Sequence, residues 1–135
     1  MLPATARLRQ RAEFTATVRR GRRGRSGLLA VHLDRSPEPG HPEGLARVGF
    51  VVSRAVGPAV VRNRVLRRLR HLMAARLDQL PVGSCVVVRA FPSSGLASSA
   101  ALGAALDRAL GQALSEAVNR PHSNSAMKEG QVAGR

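Results

Sequence analysis

Residues 58–80 have the pattern of an amphipathic helix that carries one sign of charge. Pro58 follows Gly57 at the start of this segment. Proline is tolerated in the first turn of a helix, because the backbone N–H groups there have no hydrogen-bond partner within the helix. At about 100° per residue, one side of the helix carries the aliphatic residues Val65, Leu66, Leu69, Leu72, Met73, Leu77 and Leu80. The other side carries Asn63, Arg64, Arg67, Arg68, Arg70 and His71. The pattern predicts a helix whose aliphatic side is buried in a core and whose arginine side is exposed.

The arginines of this helix have no acidic residues near them to balance their charge. Arg64 is followed by Arg67 and Arg68 three and four positions later, and like charges at this spacing destabilise a helix. The arginines also crowd the N-terminal half, where the helix dipole disfavours cations. Arg62 falls on the aliphatic side by angle, and we expect it to reach past the helix end. An ordinary solvated helix face mixes both signs of charge, so we interpret this side as a surface that binds phosphates.

The whole chain shares this bias towards positive charge. Its 135 residues include 22 Lys and Arg but 8 Asp and Glu, which gives a formal net charge of +14; Lys128 is the only lysine. A domain with such an excess repels itself and is typical of proteins that bind a polyanion. Arginine in particular binds phosphate through two parallel hydrogen bonds and stacks on bases. We therefore expect a nucleic-acid partner, with no membrane and no small-molecule substrate.

Two other interpretations of a basic helix fit this sequence less well. A helix lying on a membrane surface would have a similar polar side, although this segment contains no Trp, Tyr or Phe to anchor it. A helix-turn-helix DNA-binding protein would need a second helix before residue 58, where residues 46–54 have the pattern of a strand. The chain has no apolar run of transmembrane length and no apolar stretch of a secretory signal near its start, so a cytoplasmic location is expected.

The remaining pattern predicts an α+β domain, with a small, mostly antiparallel sheet and helices packed on it. Residues 46–54 alternate Val48, Phe50 and Val52 on one side, and we expect them to pair antiparallel with the strand before them. Residues 21–27, GRRGRSG, interrupt the pattern. We expect one domain over residues 1–120 and an irregular tail over 121–135. The predicted elements in chain order are a helix at 7–20, strands at 27–34 and 46–54, the helix at 58–80, a strand at 84–91 that looks central, and a helix from Ser98 or Ser99 to Val118.

The sequence offers no arrangement of residues suited to catalysis or metal binding. A protein nuclease needs clustered carboxylates or a general base near the scissile phosphate. The four histidines lack metal-ligand spacing, and Cys85 lies in an apolar strand where a buried core residue is expected. We therefore predict no catalytic and no metal-binding residue. The acidic residues are scattered over Glu13, Asp34, Glu38, Glu43, Asp78, Asp107, Glu116 and Glu129.

Residues 47–73 resemble the signature of the bacterial ribonuclease P protein family. That family has a Ser-basic-basic-Val-Gly turn followed by an Ala-Val-x-Arg-Asn-Arg helix start, which here are residues 53–57 and 59–64, with Ala55 in place of one basic residue. Residues 7–21 are similar to the family's first helix, with Phe14 at its characteristic position. CVVVRA, at 85–90, is similar to its late strand. The resemblance spans about residues 7 to 118.

The resemblance implies a function that composition alone does not. The family's protein binds a catalytic RNA, and the complex removes the 5′ leader of precursor tRNA, with Mg²⁺ serving the RNA; the alternative is a structural ribosomal-protein-like RNA-binding protein. It also implies a left-handed βαβ crossover through the arginine helix, as in ribosomal protein S5 domain 2. By position, the residues expected to bind the catalytic RNA are Arg54, Arg62, Asn63, Arg64, Arg67, Arg68 and Arg70. Those expected to line a cleft for the leader are Phe14, Val18, Val31 and Arg89.

Overall fold

The computed structural model describes residues 7–8, 11–35 and 46–119, with side chains up to residue 115. These residues form a four-stranded sheet with helices on both faces. In chain order the elements are α1 (Arg11–Arg20), β1 (Arg22–Arg25), β2 (Leu29–Asp34), β3 (Arg47–Val51), α2 (Ala59–Ala74), β4 (Cys85–Ala90) and α3 (Ser99–Asn119). The predicted tail over 121–135 lies outside the described residues.

The strand order is β1-β2-β4-β3, and two of the three pairings are antiparallel, as the sequence predicts. The predicted antiparallel pair of β2 and β3 is wrong, because β4 lies between them and runs parallel to β3. Val86, Val87 and Val88 of β4 are all buried, so this strand is apolar on both faces and needs the central position. The chain therefore passes from β3 through α2 to β4, and the handedness of that crossover stays a prediction.

The stretch that interrupts the sequence pattern, GRRGRSG, contains β1. Its strand residues pair with β2 from Arg22 opposite Leu33 to Arg25 opposite Ala30. A polar sequence that contains glycine does not predict a strand. Gly24 nevertheless has a role in packing. A Cβ added there would overlap the carbonyl oxygen of Ala109 in α3. The missing side chain lets α3 lie directly on the backbone of β1.

The main core lies between the sheet and the helices α2 and α3. Inward-facing residues of the strands meet the aliphatic sides of the two helices, which confirms the predicted buried side of α2. Arg76, two residues after the end of α2, joins that helix to α3, since its guanidinium donates to the Leu72 carbonyl and to both carboxylate oxygens of Asp107. The bonds to Asp107, at 2.6 and 3.1 Å, lower the pKa of that carboxyl. The fully buried side chains include Leu29, Leu33, Val65, Leu69, Met73, Val86, Leu102, Leu106 and Leu110.

The helix α1 covers the opposite face of the sheet over a smaller cluster. Leu8, Cys85 and Val87 are buried there, with Phe14 packed against them, so the expectation of a buried Cys85 is confirmed. The ring of Phe14 lies where a Cβ at Gly49 would be. Glu13 of α1 and Arg47 of β3 form an ion pair at 2.8 Å that ties the helix to the sheet edge.

Two helix boundaries differ clearly from the predicted ones, and a third agrees. α1 begins at Arg11, because residues 7–8 run alongside β3 instead, where Leu8 N donates to the Val48 carbonyl at 2.9 Å. α2 ends at Ala74, and a short 3₁₀ helix follows over Leu77–Gln79. α3 begins at Ser99, one of its two predicted starts, and Ser98 caps it, since the Oγ of Ser98 accepts from Ala101 N at 3.1 Å.

The two elements immediately before α2 are β3 and a 3₁₀ turn over Arg54–Val56. A helix-turn-helix motif needs an α-helix at that place, so the DNA-binding alternative is ruled out for α2. Within the described residues, no helix is both long enough and apolar enough to cross a membrane.

Candidate nucleic-acid interface

The exposed side of α2 is a continuous basic surface. We call it the arginine surface and define it as Asn63, Arg64, Arg67, Arg68, Arg70 and His71. Asn63, Arg67 and His71 are exposed, whereas the other three are partly covered. Val65, Leu69 and Met73 are buried on the opposite side of the helix. The segregation predicted from the sequence is therefore confirmed in the fold.

Backbone carbonyls hold three arginines of this region in place. Arg62 Nε donates to the Gly57 carbonyl at 3.1 Å, so its side chain reaches past the start of the helix as expected. Arg64 and Arg68 donate to the carbonyls of Gly95 at 3.2 Å and Ala97 at 2.8 Å. A guanidinium has five N–H donors, so each keeps donors for a ligand. The carbonyls orient the side chains without neutralising their charge.

Three acids of the described residues, Glu13, Asp34 and Asp107, pair with arginines outside the arginine surface. Ion pairs join Glu13 to Arg47, Asp34 to Arg20 and Asp107 to Arg76, at 2.8, 3.5 and 2.6 Å. Within the described part of the chain, none of these carboxylates pairs with the arginine surface. The positive potential of that surface is therefore left for a partner.

A groove of about 370 Å³ runs along the arginine surface and ends at the first residue of α3. Its lining is Arg67, Arg68, Arg70, His71, Leu72 and Ser99. Arg70, one of these lining residues, has a buried Nε without a hydrogen-bond partner among the described residues. A buried N–H without an acceptor is costly, and a phosphate oxygen in the groove would supply one. Arg54 stands apart from the groove, exposed on the 3₁₀ turn before α2.

A second concave site, of about 310 Å³, lies between the end of α1 and the sheet. We call it the α1–sheet cleft; it is lined by Val18, Gly21, Arg23, Ala30, His32, Arg89 and Phe91. Val18 is 40% exposed, and Arg89 is exposed on β4. The structure therefore places two of the four residues expected in such a cleft, Val18 and Arg89, together there.

The other two expected residues lie elsewhere. Val31 is fully buried in the main core on the opposite face of the sheet, so its assignment to the cleft is wrong. Side chains alternate along a strand, and the residues of β2 that face the cleft are its neighbours Ala30 and His32. Phe14 packs beneath α1 in the small cluster and is not among the residues that line the cleft.

Sequence reasoning missed His32, Arg23 and Phe91. His32 is mostly buried, and its Nδ1 has no hydrogen-bond partner among the described residues. Burial lowers the pKa of His32, and the charges of Arg23 and Arg89 lower it further. His32 could have been found from the sequence, because side chains alternate along the predicted strand and the polar His32 therefore lies on the face opposite Val31.

The lowered pKa of His32 predicts that the free energy of unfolding falls on acidification. The unfolded chain takes up the proton first, so stability is full above about pH 6.5 and decreases below it. Urea titrations of the wild type and of His32→Gln measure this effect. They should run from about pH 5 to about pH 8, because the ordinary histidine pKa is about 6.5. The variant should lose part of the acid sensitivity; identical pH profiles would contradict the assignment.

The described residues contain no group of three or more His, Cys, Asp or Glu side chains placed to hold a metal ion. What the two sites share is arginine beside apolar or aromatic surface. That combination suits a nucleic acid, because arginine binds phosphates and apolar side chains pack on bases.

Comparison with known proteins gives a consistent family assignment. The family model for ribonuclease P matches residues 2–114. The ribonuclease P protein component of Streptomyces bikiniensis is 55% identical over 106 residues, covering 76% of this chain and 86% of that protein. The component from Salinispora tropica is 48% identical over 117 residues, with the same 76% and 86% coverage.

Solved structures agree on the fold. The ribonuclease P protein of Staphylococcus aureus superposes with a TM-score of 0.68 at 20% identity, covering 78% of this chain and 93% of that one. The protein from Thermotoga maritima gives a TM-score of 0.62 at 22% identity, covering 74% and 90%. The family match over most of the chain, the close relatives and the shared fold lead to one conclusion: this chain belongs to the ribonuclease P protein family.

Proposed function

We propose that this protein, as the protein subunit of ribonuclease P in tRNA 5′ maturation, binds the catalytic RNA through its arginine surface. The observation that carries the proposal is a helix side of arginines without acidic partners among the described residues, with Arg64 and Arg68 held by backbone carbonyls. Side chains held in place lose less conformational freedom on binding. The proposed interface extends from the arginine surface to two residues before it in the chain, and the residues assigned to it are Arg54, Arg62, Asn63, Arg64, Arg67, Arg68 and Arg70.

We assign the α1–sheet cleft to the single-stranded 5′ leader of precursor tRNA. Its lining combines the apolar Val18 and the ring of Phe91 with the guanidiniums of Arg23 and Arg89. Unpaired RNA presents base faces and phosphates together, which such a lining can bind at once. His32 Nδ1 adds a hydrogen-bonding atom that lacks a partner among the described residues. Phe14 supports the cleft from behind by holding α1 on the sheet.

In this proposal the RNA subunit cleaves the phosphodiester bond, and the protein orients the substrate. Mg²⁺ serves the RNA, as the family resemblance implies, and no side chain of this chain is assigned to it. Holding the leader and the catalytic RNA on two faces of one rigid domain would fix the scissile bond relative to the RNA. The proposed location is the cytoplasm, where precursor tRNA would be met.

Reconstitution tests the function directly. The full chain is mixed with a bacterial ribonuclease P RNA at low Mg²⁺, and cleavage of a precursor tRNA is followed with and without protein. We expect the protein to raise the cleavage rate. No stimulation, combined with stoichiometric association with ribosomal subunits, would instead indicate a structural ribosomal-protein-like RNA-binding protein.

Arg89 provides a specific test of the leader site. Arg89→Ala should weaken binding of the holoenzyme to leader-bearing precursor tRNA by about tenfold, because the variant cannot make one charge-assisted hydrogen bond to a phosphate. Binding of mature tRNA should not change. Arg108→Ala, which removes an exposed arginine of α3 outside the cleft, is the matched control. Equal decreases in affinity for precursor and mature tRNA would contradict the cleft assignment.

A further inference from the structure

The loop between β4 and α3, residues 91–98, holds the most exposed large apolar side chain of the described residues. Leu96 is 98% exposed, at the end of a 3₁₀ helix over Pro92–Leu96. Single exposed aliphatic residues are common on protein surfaces and by themselves indicate nothing. The position of Leu96 makes it informative, because the residues on both sides of it contact the arginine surface.

The loop is firmly held, so Leu96 is not exposed through a lack of local structure. Ser94 is fully buried, and its Oγ donates to the Phe91 carbonyl at 2.7 Å. Gly95 is also buried, and a Cβ there would come within 2.7 Å of the Val56 carbonyl oxygen. The packing of these two residues leaves the next side chain, Leu96, pointing away from the protein.

Leu96 stands between two hydrogen bonds to arginines. The Gly95 carbonyl accepts from Arg64, and the Ala97 carbonyl accepts from Arg68. The first turn of α2 repeats the arrangement, since Val60 is 75% exposed and lies on the arginine side of the helix by angle. Apolar side chains therefore project from within a surface whose charges are suited to phosphates.

We propose that Leu96 packs against the face of an unstacked base of the catalytic RNA, which makes the 91–98 loop a second element of the RNA interface beside α2. This inference rests on the proposed function of the arginine surface. Phosphates account for the arginines but give no partner to an aliphatic side chain, whereas a splayed base offers a flat apolar face next to its own phosphate. A single-stranded or bulged segment of RNA fits both features together.

Binding measured against salt concentration separates base packing from phosphate binding. Leu96→Ala should weaken binding to the catalytic RNA by about tenfold, the order expected when a leucine side chain loses the apolar contact that it buries on binding. The slope of log affinity against log salt should not change, because every arginine that binds phosphate is still present. Val82→Ala is the matched control: Val82 is 79% exposed but precedes β4, whereas Leu96 follows it. Wild-type affinity of Leu96→Ala would overturn the proposal.

Cross-linking locates the partner of this side chain. In the variants Leu96→Cys and Val82→Cys, a photoreactive group is attached to the new thiol. The native Cys85 should stay unlabelled, because burial shields its thiol and raises the pKa of that thiol. Irradiation of the holoenzyme should join position 96, but not position 82, to the catalytic RNA. Cross-links to precursor tRNA alone, or none from position 96, would overturn the inference. Retained affinity on replacement of Arg64, Arg67 and Arg68 would instead overturn the proposed function itself.

Discussion

Replacing Arg64, Arg67 and Arg68 together by alanine is expected to cause the largest decrease in affinity for the catalytic RNA. These side chains lie on one side of α2 and have no acidic partner among the described residues. Each phosphate that the variant no longer binds should reduce the slope of log affinity against log salt by about 0.7, so the triple variant should show a slope smaller by about 2. Fluorescence anisotropy with labelled RNA at several salt concentrations measures both the affinity and the slope.

A second triple variant controls for net charge. Arg11, Arg19 and Arg108 are exposed and lie outside the arginine surface, so their replacement by alanine removes the same charge from other places. Long-range attraction would weaken equally in both variants, but only the removal of side chains that bind phosphate directly should reduce the slope strongly. Equal slopes in the two variants would show that α2 does not bind the RNA directly. Urea unfolding of both checks that removing the bonds to the Gly95 and Ala97 carbonyls has not unfolded the domain.

Gly24→Val is expected to cause the largest decrease in stability. A Cβ at this position would overlap the backbone of Ala109 and come within 2.9 Å of the Ala113 nitrogen, so α3 could not stay on β1. Neither neighbour is the end of a flexible side chain, and the helix as a whole would have to move. The expected decrease in the free energy of unfolding is about 3 kcal/mol or more. The midpoint of urea denaturation, monitored by circular dichroism, measures it.

Gly27→Val is the matched control for this prediction. Gly27 lies three residues further along the same segment, and a Cβ there would meet no atom within 4 Å. The same substitution should therefore change stability little. Similar decreases in the two variants would mean that glycine matters here through the flexibility of the chain and not through the close approach of α3.

The elements with strong local periodicity were predictable from the sequence. The aliphatic and arginine sides of α2 follow from a repeat of 3.6 residues, and the central position of β4 follows from its run of valines. β1 was not predictable, because its four residues, Arg22–Arg25, show no apolar alternation. They form a strand because β2 pairs with them on one side and α3 covers Gly24. The order of the strands likewise depends on contacts between distant segments.

The two candidate sites also differ in how much of each could be predicted from the sequence. The arginine surface lies within one helix, so residue spacing alone was enough to assemble it, although the loop carbonyls that orient Arg64 and Arg68 come from about thirty residues further along the chain. The α1–sheet cleft draws on α1, three stretches of strand and Phe91, so the sequence placed two of its residues there and misplaced Val31.

The sequence by itself therefore determined the charge of this protein, its family resemblance and the basic side of α2. The tertiary structure decided which face of β2 lines the cleft and which arginines the loop carbonyls hold. The physical reason is the range of the interactions involved. A helix side is set by hydrogen bonds four residues apart. In a strand, by contrast, Val31 and His32 point to opposite faces, and only the packing of α1 on one face and α3 on the other distinguishes core from cleft.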